Sequence, residues 1–370
     1  MKRRFALAIV SILGFASMAT AQTGSWQPLA SMTTARQETA AVRVANSVYV
    51  IGGLLNASPA AAADSVEVYD IAEDAWSVTE SLPVGLDHAA AATLNGLVYV
   101  IGGFSRGPQG QATARSEVYV LDSETEQWSN GPALPSARAG AWAVTHRGAI
   151  YLFGGVSTTE VTDTVFILDL AKGGWVEGEP MPTPREHLNA AACGDFIYVI
   201  GGRSGATSYA LNERYDPATD TWDTMAPMDN ARSAMFVGVW GSRIYCAGGE
   251  VPMLFDVTEV YDVASDVWGE DTPMNLPRHG LAAVTLPAGI LAAGGGVIQG
   301  LSATSSVDQF VPGLPAGDIN SSGSANAVDV QLVINAALDI DIAPLNADID
   351  GDGDVGALDV QRAINAALGL

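Results

Sequence analysis

The chain is patterned in short apolar stretches broken by turn residues, and one unit of that pattern shows its rule. After Arg185 an apolar stretch runs to a Gly194-Asp195 turn, a second stretch covers Phe196 to Ile200, and Gly201-Gly202 ends it. A third stretch reaches Tyr215-Asp216, a polar turn follows, and Trp222 opens a fourth. Four short runs of β-forming residues separated by turn chemistry predict one antiparallel sheet. The pattern then repeats. Diglycines stand at Gly52-Gly53, Gly102-Gly103, Gly154-Gly155, Gly201-Gly202, Gly248-Gly249 and Gly294-Gly295, with successive starts 50, 52, 47, 47 and 46 residues apart. Tryptophans fall at Trp26, Trp76, Trp128, Trp175, Trp222 and Trp268.

A lone four-stranded sheet of this kind leaves two apolar faces open, and stacking neighbours around a ring closes them. A repeat near fifty residues with four strands per unit therefore predicts an all-β, six-bladed β-propeller. The last unit has no tryptophan strand of its own, whereas Trp26 precedes the first diglycine. The expected closure is that Ser25 to Met32 supplies the outer strand of the last blade, which removes an unpaired edge.

The diglycine after a hydrophobic strand, followed by a Tyr separated by six residues from a Trp, resembles the kelch repeat over about residues 26 to 312. Tyr69 with Trp76, Tyr215 with Trp222 and Tyr261 with Trp268 match in full; Leu121, Leu168 and Phe310 depart from the Tyr and keep an apolar contact.

Composition adds an address. The chain has 370 residues, 48% of them hydrophobic and 16% charged, with 40 glycines. Met1-Lys2-Arg3-Arg4, the apolar Phe5 to Met18 and Ala19-Thr20-Ala21 read as a secretory signal over residues 1–21, with the mature chain starting at Gln22. The apolar run is short for a bilayer of about 30 Å, so a transmembrane anchor is not expected. The expected location is extracellular, free or attached at a cell surface. The formal charge is −24, and losing the basic leader makes it more negative, which argues against a nucleic-acid partner. Cys193 and Cys246, outside any C-x-x-C pattern, read as two small buried thiols.

Antiparallel order places the segments that lead into each first strand on the same rim as the loops that leave the second. The opposite rim is made of tight turns such as Asn95-Gly96, Arg147-Gly148 and Gly241-Ser242. The lead-ins carry a polar set: Arg36-Gln37-Glu38, Asp87-His88, Arg138-Ala139-Gly140, Arg185-Glu186-His187, Arg232-Ser233-Ala234 and Arg278-His279. Five of six units thus place an Arg there, which predicts a ring of cations around the channel mouth. The candidate ligand-binding residues are Arg36, Glu38, Asp87, His88, Arg138, Arg185, Glu186, His187, Arg232, Arg278 and His279, with Arg106, Arg115, Arg203 and Glu250 extending the surface. Guanidinium groups suit carboxylates, and His and Glu suit sugar hydroxyls, so a protein or an acidic carbohydrate is the expected ligand. An Arg here in kelch units also pairs with a neighbouring blade or with loop carbonyls, and both readings stand at this point. The resemblance further implies a sugar-active alternative, since some secreted kelch propellers are sialic acid mutarotases or copper radical oxidases of the galactose oxidase type. Neither Cys sits in a copper-oxidase motif, and no catalytic residue is assigned.

Beyond a linker at residues 313–316 the composition changes. Residues 317–370 contain no aromatic residue and no Glu but nine Asp. Asp318 to Asp329 and Asp348 to Asp359 are matching twelve-residue loops, each followed by a helical run, Val330 to Leu338 and Val360 to Leu368. Oxygens at loop positions 1, 3, 5, 7 and 12, with water commonly intervening at 9 and Gly at 6, suit a hard cation. The expected Ca²⁺ ligands are Asp318, Asn320, Ser322, the Ser324 carbonyl, Asn326 through water and Asp329 in one loop, and Asp348, Asp350, Asp352, the Asp354 carbonyl and Asp359 in the other, so two ions are expected. Asp rather than Glu at position 12, without an entering helix, resembles a type I dockerin. That resemblance implies a small all-α calcium-binding domain that docks on a cohesin-like or cell-surface partner, in a setting of polysaccharide breakdown. Ala327-Val328 and Ala357-Leu358 stand where many dockerins carry a Ser/Thr pair, so the resemblance does not extend to a familiar cohesin, and a different cohesin with an apolar contact patch stays open.

Overall fold

A computed structural model describes residues 24–157, 159–313, 327–337 and 357–367. Six four-stranded antiparallel sheets follow one another around a ring, and their innermost strands neighbour one another in a closed circuit. Blade 1 consists of Ala40–Val44, Ser47–Ile51, Val66–Asp70 and Ala75–Thr79. Blades 2 to 5 repeat this order, beginning at Ala90–Leu94, Trp142–His146, Asn189–Cys193 and Phe236–Trp240. Blade 6 takes three strands, Ala282–Leu286, Gly289–Ala293 and Val307–Val311, and closes with Ser25–Pro28 from the other end of the chain. That is the closure expected of the Trp26 segment.

The second strand of each blade explains the packing. Its residues alternate between two neighbours, so both faces must be apolar. In blade 1, Val48 and Val50 join the core shared with blade 6, while Tyr49 and Ile51 join the core shared with blade 2. Val98 with Val100 and Tyr99 with Ile101 divide the same way one blade on. Six apolar clusters result, one at each junction between blades.

Two rings of hydrogen bonds tie the blades outside these cores. Each of the six tryptophans donates its indole N–H to a carbonyl of the preceding blade's exit, as in Trp76 to Ala30 at 2.7 Å and Trp222 to Glu179 at 2.9 Å. The second glycine of each diglycine donates its N–H to the lead-in of the next blade, from Gly53 to Leu86 at 2.7 Å round to Gly295 to Arg36 at 2.9 Å. A Cβ on Gly52 would lie 2.3 Å from the Leu86 carbonyl, and its φ is +63°, so only glycine fits. The rim away from these contacts is closed by two-residue turns; Asn95 and Gly96 have φ of 53° and 80°, as a type I′ hairpin requires. Cys193 and Cys246 are free and buried, and burial raises both thiols, Cys246 to about 12.

Two helices follow, α1 (Ala327–Ala337) and α2 (Ala357–Ala367), packed against each other with Val333 and Ala363 fully buried. Both begin three residues before the expected start. Asp329, at the last position of its loop, therefore lies in the first turn of α1, where a carboxylate is favoured by the helix dipole, and it is buried. Asp359 lies in the first turn of α2. The other expected calcium ligands, Asp318, Asn320, Ser322, Ser324, Asn326, Asp348, Asp350, Asp352 and Asp354, lie outside the described residues, as does the leader at 1–21. Among the described residues no helix is long and apolar enough to cross a membrane.

Candidate functional site

Each lead-in contributes three consecutive positions to the mouth, and the backbone sends their side chains to different places. The first position holds Arg36, Leu86, Arg138, Arg185, Arg232 and Arg278. The second holds Gln37, Asp87, Ala139, Glu186, Ser233 and His279, and the third Glu38, His88, Gly140, His187, Ala234 and Gly280.

The first position corrects the expected cation ring. Arg36, Arg185, Arg232 and Arg278 have no exposed surface and Arg138 has 6%. Their guanidinium groups point into their own blades. Arg36 donates to the carbonyls of Gly52 and Ser65 and pairs with Glu67 at 2.7 Å. Arg185 pairs with Glu213 at 2.5 Å, Arg232 with Glu259 at 2.6 Å and Arg278 with Asp308 at 2.6 Å. The acid is always the second residue of the third strand. Blade 3 has Phe166 there, and Arg138 lies over its ring at 5.1 Å from the centroid. Blade 2 has Tyr119 there, and the Arg becomes Leu86 in the same apolar cluster. A buried guanidinium needs a counter-charge or a ring against it, and four of these arginines meet an acid and the fifth Phe166, so all five are braces of the blades and do not face a ligand.

The third position forms the mouth itself. All six residues have φ between 50° and 59°, in the left-handed region. Their amides and carbonyls close a circle: His88 N–H to Glu38, Gly140 to His88, His187 to Gly140, Ala234 to His187, Gly280 to Ala234 and Glu38 to Gly280, at 2.6 to 2.9 Å. This circle aims the third side chains at the propeller axis. Glu38, His88 and His187 meet there, with Oε2 of Glu38 3.6 Å from Nε2 of His88 and 3.8 Å from Nε2 of His187. The two imidazoles lie edge to face at 4.8 Å. Gly140 and Gly280 make room for these side chains: a Cβ on Gly280 would lie 2.2 Å from Oε1 of Glu38 and one on Gly140 3.3 Å from Nδ1 of His187.

The second position supports the third. It pairs in the β manner with the residue just after the diglycine of its own blade, for example Asp87 with Phe104 and Glu186 with Arg203. Asp87 holds Nδ1 of His88 at 2.5 Å, and Glu186 holds Nδ1 of His187. Arg106 clamps Asp87 through two bonds of 2.6 and 2.7 Å, and Arg203 joins Glu186 and Glu250 at 2.8 Å each. Arg203 Nη2 also lies 3.2 Å from Nε2 of His187. His279 stands above Gly296 with Nε2 3.6 Å from Glu250 and 3.9 Å from Glu38.

The electrostatics follow from this crowding. Burial alone raises the Glu38 carboxyl, but His88, His187, His279 and Arg203 outweigh it and hold it below the usual range. Burial lowers His88, and the charges of Glu38 and Asp87 reverse that and raise it. Glu186 is lowered to about 2, because His187 and Arg203 overcome the cost of burial.

The circle also borders an axial chamber of about 50 Å³, lined further by Thr39, Trp142, Leu188, Asn189 and Met235. Thr39 Oγ1 and Asn189 Oδ1 are buried without a hydrogen-bond partner.

Of the residues read from sequence, Glu38, Asp87, His88, Glu186, His187 and His279 converge, joined by Arg106, Arg203 and Glu250. Arg115 does not; it pairs with Glu117 at 2.5 Å, away from the cluster. Sequence reasoning missed Gln37, whose amide lies 3.4 Å from Nε2 of His279, and the chamber residues Thr39 and Asn189. The non-repeating positions of the lead-ins were the available signal.

A ring of diglycine blades with this mouth defines a repeat propeller, and the paired helices define a second, smaller module. Residues 38–249, more than half of the chain, match the KLHDC2/KLHL20/DRC7 Kelch-repeats domain, and the chain belongs to the kelch-repeat family. Residues 316–368 match the dockerin type I domain. Kelch-like protein terF of Aspergillus terreus (strain NIH 2624 / FGSC A1156) is 30% identical over 148 residues, which are 38% of this chain and 32% of that protein. The chain thus matches about a third of the length of that relative. Among solved structures, the structure of YjhT aligns with a TM-score of 0.67 at 16% identity, covering 76% of this chain and 96% of YjhT. At that identity the likeness concerns the fold. A kelch propeller joined to a dockerin module has the parts of a protein-binding scaffold.

Proposed function

We propose that this is an exported attachment protein. Its kelch propeller binds a protein or carbohydrate ligand at the diglycine-side mouth, and its tail, folded by two calcium ions, docks on a cohesin-type or cell-surface partner in a setting of polysaccharide breakdown. The observation that supports it best is the asymmetry of the propeller. One rim is closed by two-residue turns, whereas the other combines a polar axial cluster with hairpin loops such as Phe104–Arg106 with Ala112–Ala114. Loops on a rigid scaffold are where binding sits. The mouth's own cations, Arg106 and Arg203, are engaged by Asp87, Glu186 and Glu250, so an acidic sugar loses the cation ring that favoured it.

The test uses the full chain in calcium against immobilised cohesin domains and a glycan array. Cohesin capture that vanishes with chelator and weakens more in Asp348→Ala than in Ser322→Ala supports the tail assignment, because only the first change removes a charged ligand. Equal capture with and without calcium would sink it. Glycan binding that survives chelation belongs to the propeller.

A second reading, an epimerase or mutarotase acting on a sugar, is favoured by the convergence of one carboxylate with two imidazoles at the axis. Turnover of an array-positive sugar, followed by proton NMR in wild type and Glu38→Gln, decides between them.

A further inference from the structure

We propose that the propeller axis carries a divalent transition-metal site whose ligands are the Glu38 carboxylate and the Nε2 atoms of His88 and His187. One ligand atom from each residue lies within 4.8 Å of the other two. The three come from three blades, yet the hydrogen-bonded backbone circle fixes their Cα positions. Metal–nitrogen and metal–oxygen bonds of about 2.0–2.2 Å bring such ligands to roughly 3–3.5 Å from one another. From 3.6 and 3.8 Å to Glu38, and from a widest separation within 4.8 Å, the side chains close that gap by rotation, with release of the 3.2 Å contact between Arg203 and His187.

The surroundings are those a metal-binding imidazole needs. Each His is held at Nδ1 by the carboxylate of the residue before it, Asp87 or Glu186, which turns Nε2 toward Glu38 and fixes the tautomer that can bind a cation. Arg106 and Arg203 anchor those carboxylates in turn. The three ligands border the chamber whose wall holds Thr39 Oγ1 and Asn189 Oδ1, buried without partners, so water or a ligand there can complete the coordination. Two imidazoles and one carboxylate select zinc, cobalt or ferrous iron over the all-oxygen preference of calcium and magnesium. The site is thereby distinct in chemistry from the loops of the tail.

The experiment is a zinc titration of the full chain, stripped with chelator and returned to saturating calcium so that the tail is filled. Calorimetry is expected to show one zinc ion per chain. Glu38→Gln and His187→Asn lower its affinity at least ~100-fold, and Asp87→Asn, which loosens the support of His88, by roughly 10–100-fold. His146→Asn, far from the axis, leaves it unchanged. Cobalt bound to the wild type should give two hyperfine-shifted exchangeable imidazole signals, a readout that needs no variant to fold. No zinc uptake, absence of those signals, or wild-type affinity in folded Glu38→Gln and His187→Asn overturns the proposal. So does binding that depends on His146.

Discussion

The first and third positions of the strand lead-ins are two residues apart, share one backbone pattern, and do opposite things. The first repeats around the ring as Arg in five blades and is buried to the last atom of exposure in four of them. The third repeats its φ but not its side chain, and its Glu and two His meet on the axis. What repeats answers a need that recurs: a counter-charge for the third-strand acid in four blades, and in three of those a donor for the diglycine carbonyl as well. What breaks the repeat is free of that need, and there the molecule builds a site.

The largest test of that contrast removes a brace. Arg232→Ala leaves Glu259 buried and unpaired, and a loss of about 3–5 kcal/mol in unfolding free energy is expected by urea denaturation. The pair Arg232→Leu with Glu259→Tyr, copied from Leu86 and Tyr119 of blade 2, should recover most of it. If the single change leaves stability intact, the first position is no brace. Next comes the circle. Gly280→Ala forces a side chain at φ 56° into Glu38 and should cost ~3 kcal/mol, whereas Gly194→Ala, at φ 61° with open space, should cost ~1 kcal/mol. Equal losses would show that the axis exerts no steric demand. The indole ring is milder: Trp222→Phe removes one exposed hydrogen bond to Glu179, and about 1 kcal/mol should separate its unfolding free energy from wild type.

These contrasts also show what the sequence carries. Spacing of diglycines and tryptophans was enough for the blades and the ring closure, because each residue does a local job that recurs. The tail's paired helices and its dockerin resemblance were legible for the same reason. The arginines read both as a cation ring and as structural pairs, and the choice was not legible because their partners, Glu67, Glu213, Glu259 and Asp308, lie about thirty residues downstream. The signal was present all the same. Where the partner is Phe166 the Arg lies over a ring, and where it is Tyr119 the Arg is gone. The axial cluster was read as a set of candidates and not as a geometry. Residues at positions 38, 88 and 187 converge only because a left-handed turn in every lead-in points them inward, and glycine marks that turn in just two of the six.

The smallest expected effect is the sharpest for the comparison. Glu38→Gln keeps the shape of the side chain and its place above Gly280, so the backbone circle and the packing beside it persist. The lost charge faces His88, His187 and His279, which are anchored by Asp87, Glu186 and Glu250 on their other sides. No buried counter-ion is left alone, unlike Glu259 after Arg232→Ala. A change under ~1 kcal/mol in either direction is therefore expected in the same urea titration. A gain would agree with the general finding that residues arranged for a ligand are held at some expense to the fold. A loss as large as that of Arg232→Ala would make Glu38 a brace as well, and the distinction between the repeating and the non-repeating positions would fall with it.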